Sequence, residues 1–184
     1  KLIEPQMTFT EGSLSLRVGK KTLIMSQMTG HSADSISVLV EEDRVLFAGD
    51  AFMPIPYVVD GSLDQLSETM KSMGKMGLEN IIQGHGDIIL RGEIDNAVKE
   101  NIAYLSAVRK SVKAALKRRN PLEALSQVDI SACGKSRVYL GGLAEDLHRR
   151  NLRAVLKQIA EAEGIDLAAI VAIAQQEQEY EEDV

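Results

Sequence analysis

A chain of 184 residues, 45% hydrophobic and 26% charged, is the size of one globular domain, or of one domain with an appendage. Its formal net charge of −6 speaks against a protein built to wrap nucleic acid, and no apolar run reaches the roughly 18 residues that a membrane span needs. The lone cysteine, Cys133, excludes an internal disulfide and a four-cysteine zinc knuckle; with no signal-peptide core at the start, the sequence reads as cytoplasmic.

The first half is patterned as strands and turns. In "SLSLRV", Leu14, Leu16 and Val18 alternate with polar neighbours, the period of a half-buried strand. Gly19, Lys20 and Lys21 turn the chain into a second strand, "TLIMSQ". A hairpin follows, with "SISVLV" as one arm, "EEDR" as a polar tip and "VLFAG" as the return arm. From Ser62 the period changes: Leu63, Leu66, Met70, Met73 and Met76 recur every three or four residues, as on an amphipathic helix. Ser62 and Asp64 suit its start and Gly77 its end. A short apolar strand, "NIIQ", then leads into "GHGD".

The second half is helical. Ile94, Val98, Ile102, Leu105, Val108, Val112 and Leu116 line one face of a long helix, which Asn120 and Pro121 bring to a stop. "PLEALSQV" reads as a short helix with proline in its first turn. Leu143, Leu147, Leu152, Val155, Leu156 and Ile159 mark another long helix ending near Gly164. Asp166 suits the start of a last helix, "LAAIVAIAQQ", and "EQEYEEDV" is an acidic tail.

Three residues stand out chemically. His31, Asp50 and His85 each adjoin glycine at the exit of a strand pattern, where side chains reach the edge of a sheet. Imidazole and carboxylate are ligands for zinc, iron or manganese. Yet a histidine beside glycine is most often a turn residue, and an aspartate after a strand is most often a turn former or helix cap. Residue type alone therefore leaves metal binding in the minority.

The order of motifs shifts that balance. "GHSADSISVLVEEDRVLFAGDAF" and "IIQGHGD", with the strands and helix around them, resemble the C-terminal half of the metallo-β-lactamase superfamily over residues 10–92. "GLAEDLHRRNLRAV" is similar to a C-terminal helix of some hydrolase-like members. The resemblance implies an α/β fold: part of an αββα sandwich, mainly its C-terminal sheet with flanking helices. Residues 1–119 would form that half-domain, 120–164 a helical extension packed on it, and 165–184 a terminal helix and tail.

By the same resemblance, His31 ligates one metal ion and His85 a second, and Asp50 bridges them and takes part in catalysis. Two zinc ions are expected, with iron or manganese as alternatives, and the cofactor would activate hydroxide against an ester, thioester, lactone, amide or phosphoester of a small-molecule substrate. Asp34 and Asp87 are candidates to orient an imidazole. Met53 and Tyr57 offer apolar surface for a pocket wall.

The superfamily's upstream His-x-His-x-Asp-His motif has no counterpart here. The chain, which starts at Lys1 without a methionine, is therefore expected to be the C-terminal part of a longer protein and inactive alone. One sheet face would be left uncovered, recruiting another copy of the chain or the missing N-terminal portion. The alternative is a non-catalytic assembly module that keeps the fold without a complete metal site.

Other features read more simply. The basic run from Arg109 to Arg119 is a solvated helix face without the interleaved aromatics of a stacking platform, so nucleic acid is not an expected partner. Gly134, Lys135 and Ser136 mimic the end of a P-loop, but Asp129 stands where its first glycine belongs. Cys133 reads as a small buried thiol, and His148 as a hydrogen-bonding residue of the helical layer with no catalytic role.

Overall fold

The computed structural model describes residues 3–4, 7–58 and 61–172. Six strands form one sheet in sequence order: β1 (Ser13–Val18), β2 (Lys21–Gln27), β3 (Ile36–Val40), β4 (Val45–Gly49), β5 (Asn80–Gln83) and β6 (Ile89–Leu90). All neighbours are antiparallel except β4 and β5, which α1 (Leu63–Lys75) joins as a parallel pair. The helices that follow β6 are α2 (Ile94–Ala115), α3 (Pro121–Ser126) and α4 (Ala144–Glu163), with 3-10 turns at Ile130–Cys133 and Tyr139–Gly142.

Local chemistry fixes the boundaries. Gly19, at φ 60°, makes the tight β1–β2 turn with Lys20, so that Val18 pairs with Lys21. Ser62 caps α1 by accepting from the Gln65 amide, and the chain leaves the helix through Gly77 at φ 66°. Asn120 does the same for α3 by accepting from the Glu123 amide. Helix α2 ends at Ala115, short of the Asn120–Pro121 stop, so the intervening residues are connection rather than helix. Asp166 accepts from the Ala168 amide at 2.9 Å and residues 167–172 are helical; the rest of the expected last helix and the acidic tail lie outside the described residues.

The two sheet faces differ sharply. On one face Leu39, Leu46 and Ile81 are paired across β3, β4 and β5, and with Ala48 they meet Leu66, Met70 and Met73 of α1. That core runs on without a break through Val98, Leu105 and Val108 of α2 into Leu152, Val155 and Leu156 of α4. The opposite face carries a cross-strand row of Leu14, Met25, Val38, Phe47 and Ile82. A second row beside it holds Leu16, Leu23, Val40 and Val45. No described helix covers these rows: Phe47 is 47% exposed and Leu16 43% exposed. The alternation in β1 thus belongs to the open face, because its other side is Ser13, Ser15 and Arg17.

Candidate metal centre at the sheet rim

Strands β2, β4 and β5 run in one direction, so their C-terminal ends emerge at the same rim. His31 lies in the loop leaving β2, Asp50 directly follows β4, and His85 follows β5 by two residues. The β3–β4 hairpin carries the chain away from the rim and returns it there. This is why a histidine and an aspartate 19 positions apart meet (50 − 31).

The three side chains converge. His31 Nε2 stands 3.6 Å from Asp50 Oδ2, and His85 Nε2 stands 3.5 Å from Asp50 Oδ1. Each carboxylate oxygen thus faces a different imidazole. Both separations are too long for a good hydrogen bond. A cation held at ordinary zinc bond lengths with a tetrahedral angle puts its nitrogen and oxygen ligands about 3.4 Å apart. Asp50 and the two histidines are therefore spaced as residues that could hold a cation on either side of the carboxylate. Among the described residues, no group of three His, Cys, Asp or Glu side chains is arranged to hold a metal ion by itself.

Backbone chemistry holds the rim in place. The Gly84 amide donates to the Gly49 carbonyl at 2.8 Å, binding the His85 loop to the turn that carries Asp50. A side chain at Gly84 would collide with Asp50, since a Cβ there falls 2.0 Å from Oδ1. Gly30, at φ 124°, lets the His31 loop press against the backbone of α1: a Cβ would sit 2.3 Å from the Leu66 Cα. Thr69 adds a tie from α1, donating its hydroxyl to the Thr29 carbonyl at 2.7 Å.

The imidazole of His31 is oriented by a group that side-chain pattern does not show. Its Nδ1 lies 2.7 Å from the Tyr57 carbonyl, which only accepts, so Nδ1 donates to it and the neutral ring has its lone pair on Nε2, at the rim. Asp34 does not take this role. It accepts from the Ser32 hydroxyl at 2.7 Å, and that bond holds its carboxyl below the usual range. Asp87 contributes a backbone carbonyl to Gln83 Nε2 at 2.6 Å. Met53 is buried at the first turn after Asp50, and the Tyr57 ring tilts against His31 with centroids 5.7 Å apart.

Two buried asparagines hold the loop that carries Tyr57. Asn151 of α4 donates to the Pro56 carbonyl at 2.6 Å and accepts from the Val58 amide at 3.0 Å. Asn101 of α2 donates to the Met53 carbonyl at 3.0 Å. Asn151 also donates to the Tyr104 hydroxyl at 3.1 Å, and that hydroxyl meets His148 Nδ1 at 3.0 Å. His148 Nε2 reaches the Val128 carbonyl at 3.2 Å, so its role is structural. Burial pushes the Tyr104 hydroxyl up and the His148 imidazole down from their ordinary values. A polar residue inside a helix's apolar stripe was the available signal for both asparagines.

The remaining features follow their simple readings. Cys133 is buried and its thiol is pushed up by burial, which makes it a poor nucleophile. In the basic run, Arg109 pairs with Asp64 and Lys113 with Glu163. No described helix is long and apolar enough to cross a membrane.

With this geometry in hand, the chain can be set beside known proteins. No protein-family profile matches it. A curated Caenorhabditis elegans protein named beta-lactamase-like protein 2 homolog is 23% identical over 123 residues, which are 67% of this chain and 40% of that protein. The crystal structure of a metallo-beta-lactamase family protein from Thermus thermophilus superposes with a TM-score of 0.55 at 20% identity, covering 86% of this chain and 49% of that one. The chain therefore has the fold of the metallo-β-lactamases. A stereoselective inverting sec-alkylsulfatase from Pseudomonas sp. shares the architecture at 12% identity and a TM-score of 0.59, covering 85% of this chain and 27% of that one. The chain therefore spans less than half the length of these metallo-β-lactamase-fold relatives.

Proposed function

We propose that this chain supplies one half of a two-cation hydrolytic centre, with His31 and His85 each binding one ion and Asp50 bridging both. The observation that carries the reading is the pair of 3.6 and 3.5 Å separations, one from each oxygen of a single carboxylate to a different imidazole. Divalent cations, zinc first and iron or manganese as alternatives, when bound supply Lewis acidity that activates water near neutral pH and polarises a carbonyl or phosphoryl oxygen. The chain's own residues do the positioning. The Tyr57 carbonyl fixes the His31 tautomer, and the Gly84 amide keeps the two ligand-bearing loops in register. The remaining coordination positions belong to water, to substrate, and to groups these three residues do not supply. The reaction class is hydrolysis of a small-molecule ester, thioester, lactone, amide or phosphoester.

The open sheet face supports a further part of this reading. Its two apolar rows match the inner surface of a sheet-on-sheet sandwich, so a second sheet covers them, from another copy of the chain or from a portion of the fold that this chain does not span. A panel of chromogenic ester, thioester, lactone and phosphodiester substrates, offered to zinc-loaded protein and to Asp50→Ala, tests the chemistry. Zinc-dependent turnover abolished by Asp50→Ala supports the reading, and equal turnover by both proteins overturns it. Absence of both zinc binding and turnover of any substrate favours the other reading, an assembly module that keeps the fold without a complete metal site.

A further inference from the structure

Next to the rim lies a cavity of about 740 Å³. The turn that leaves Asp50 lines it through Met53 and Pro54, and the loop that leaves His85 lines it through Gly86. Its other side is formed by α2 and by the segment between α3 and α4, which contributes Lys135 and Tyr139. The cavity is therefore walled by the two chain segments that carry two of the three rim ligands.

Lys135 is an unusual wall residue because it is only 7% exposed. Its Nζ donates to Asn101 Oδ1 at 2.7 Å, and Asn101 is held in that orientation by its own bond to the Met53 carbonyl. An ammonium has three N–H donors. Among the described residues, this amide oxygen is the one hydrogen-bond acceptor it reaches, and no carboxylate forms an ion pair with it. Besides that amide it has the Tyr139 ring, whose centroid lies 6.0 Å from Nζ, and a buried cation compensated by these two neutral groups still lacks the charged partner that buried charges normally have. Burial lowers the lysine's proton affinity, opposed by the field of Glu100.

A second polar group on the same wall is also unsatisfied. Gln83 Oε1 is buried without a hydrogen-bond partner, while its Nε2 is committed to the Asp87 carbonyl. Asp87, Glu93 and Glu100 line the cavity as well, but all three are exposed to solvent that screens them. Glu93 accepts from the Leu90 amide and Glu100 from Asn96. The buried part of the wall therefore offers one cation and an apolar surface from Phe52 and Met53.

We propose that this cavity is a carboxylate-binding subsite, seating the non-reacting end of a small amphipathic molecule with its carboxylate on Lys135 Nζ. To call that molecule a substrate rests on the hydrolytic reading of the rim; its binding does not. Anchoring a remote carboxylate here holds the rest of the molecule towards Asp50 and His85, so binding energy gained away from the reacting bond serves to orient it. The subsite thereby selects substrates that carry a free acid.

The test uses 3-phenylpropanoate and its neutral counterpart 3-phenylpropanamide, titrated into metal-free protein while the methyl resonance of Met53 is followed by NMR. The acid is expected to bind at least tenfold more tightly than the amide. Lys135→Met should bring the two level, and Lys135→Arg should keep most of the preference. Equal affinities in the unsubstituted protein, a preference that survives Lys135→Met, or no response of Met53 to either compound at millimolar concentration would overturn the proposal. The acid-against-amide comparison stands even if Lys135→Met fails to fold. His85→Ala separates the two readings: loss of zinc binding with the acid preference intact supports both. Zinc binding that His85→Ala leaves unchanged sinks the rim reading alone, and absence of the acid preference sinks the subsite alone.

Discussion

His31 and Tyr57 are joined by a 2.7 Å hydrogen bond from the ring Nδ1 to a backbone carbonyl. That bond decides which imidazole nitrogen is available, and it makes the loop after Asp50 part of the rim's construction. The loop is in turn fastened by side chains from α2 and α4, so helices far along the chain determine how a histidine near its start is aimed.

Removal of one fastener should be costly. Asn151→Ala deletes bonds to the Pro56 carbonyl, the Val58 amide and the Tyr104 hydroxyl, all buried. The expected loss is about 3 kcal/mol, because the stranded partners have no access to water. Urea unfolding measures it, and a loss below about 1 kcal/mol would mean that the loop is held by packing alone.

Stability should also depend on pH through His148. Burial depresses its folded-state pKa, whereas in the unfolded chain it titrates near the ordinary value of about 6.5. Below that value the unfolded state binds the proton that the folded state resists. The contribution is therefore complete above about pH 6.5 and declines as pH falls towards the depressed folded value, by at most about 1.4 kcal/mol per unit. Urea midpoints of the unsubstituted protein and of His148→Gln between pH 5 and pH 8 should converge on the acid side. Parallel curves would show that His148 does not titrate on unfolding.

Gly84 reports on Asp50 directly. Gly84→Ala places a methyl where the Asp50 carboxylate now lies and within 2.9 Å of the Gly49 and Asp50 backbone, so the carboxylate and the turn that carries it must both shift. Zinc affinity should fall by roughly 10- to 100-fold, the usual effect of disturbing a ligand's support. Gly92→Ala, where a Cβ meets nothing within 4 Å, is the control and should bind zinc as before. Equal affinities in the two variants would place the ion elsewhere.

The open sheet face predicts association. If a second copy covers it, the chain by itself should sediment as a dimer or larger species, and Phe47→Lys, in the middle of the apolar row, should shift it to monomer. A monomer at all concentrations would contradict pairing between copies.

Much of this arrangement was legible in the sequence because it depends on local periodicity. The strand patterns "TLIMSQ", "VLFAG" and "NIIQ" and the glycines beside His31, Asp50 and His85 put those three residues at strand exits, and β2, β4 and β5 do end at one rim. What was not legible depends on partners distant in sequence. Strand β6 has only two residues, too few for any period, and exists through pairing with β5. The period of α2 suggested Ile102 as a core position, but Asn101 and Tyr104 are the fully buried neighbours, since each finds a polar partner in α4 or in the loop after Asp50. Nothing in "YLSAV" or "DLHRRN" shows that Tyr104 and His148 will meet. The Tyr57 carbonyl is a backbone group, invisible to any search by side-chain type.

The convergence of three side chains on a two-ion corner is tested most directly by titrating zinc into the protein while the imidazole nitrogens are followed by ¹⁵N NMR. Nε2 of both His31 and His85 should shift as ligands while Nδ1 of His31 keeps its proton on Tyr57, and Asp50→Ala should weaken binding at both histidines together. Zinc that engages neither nitrogen, or histidines that bind it as tightly without Asp50, would contradict a shared carboxylate bridge.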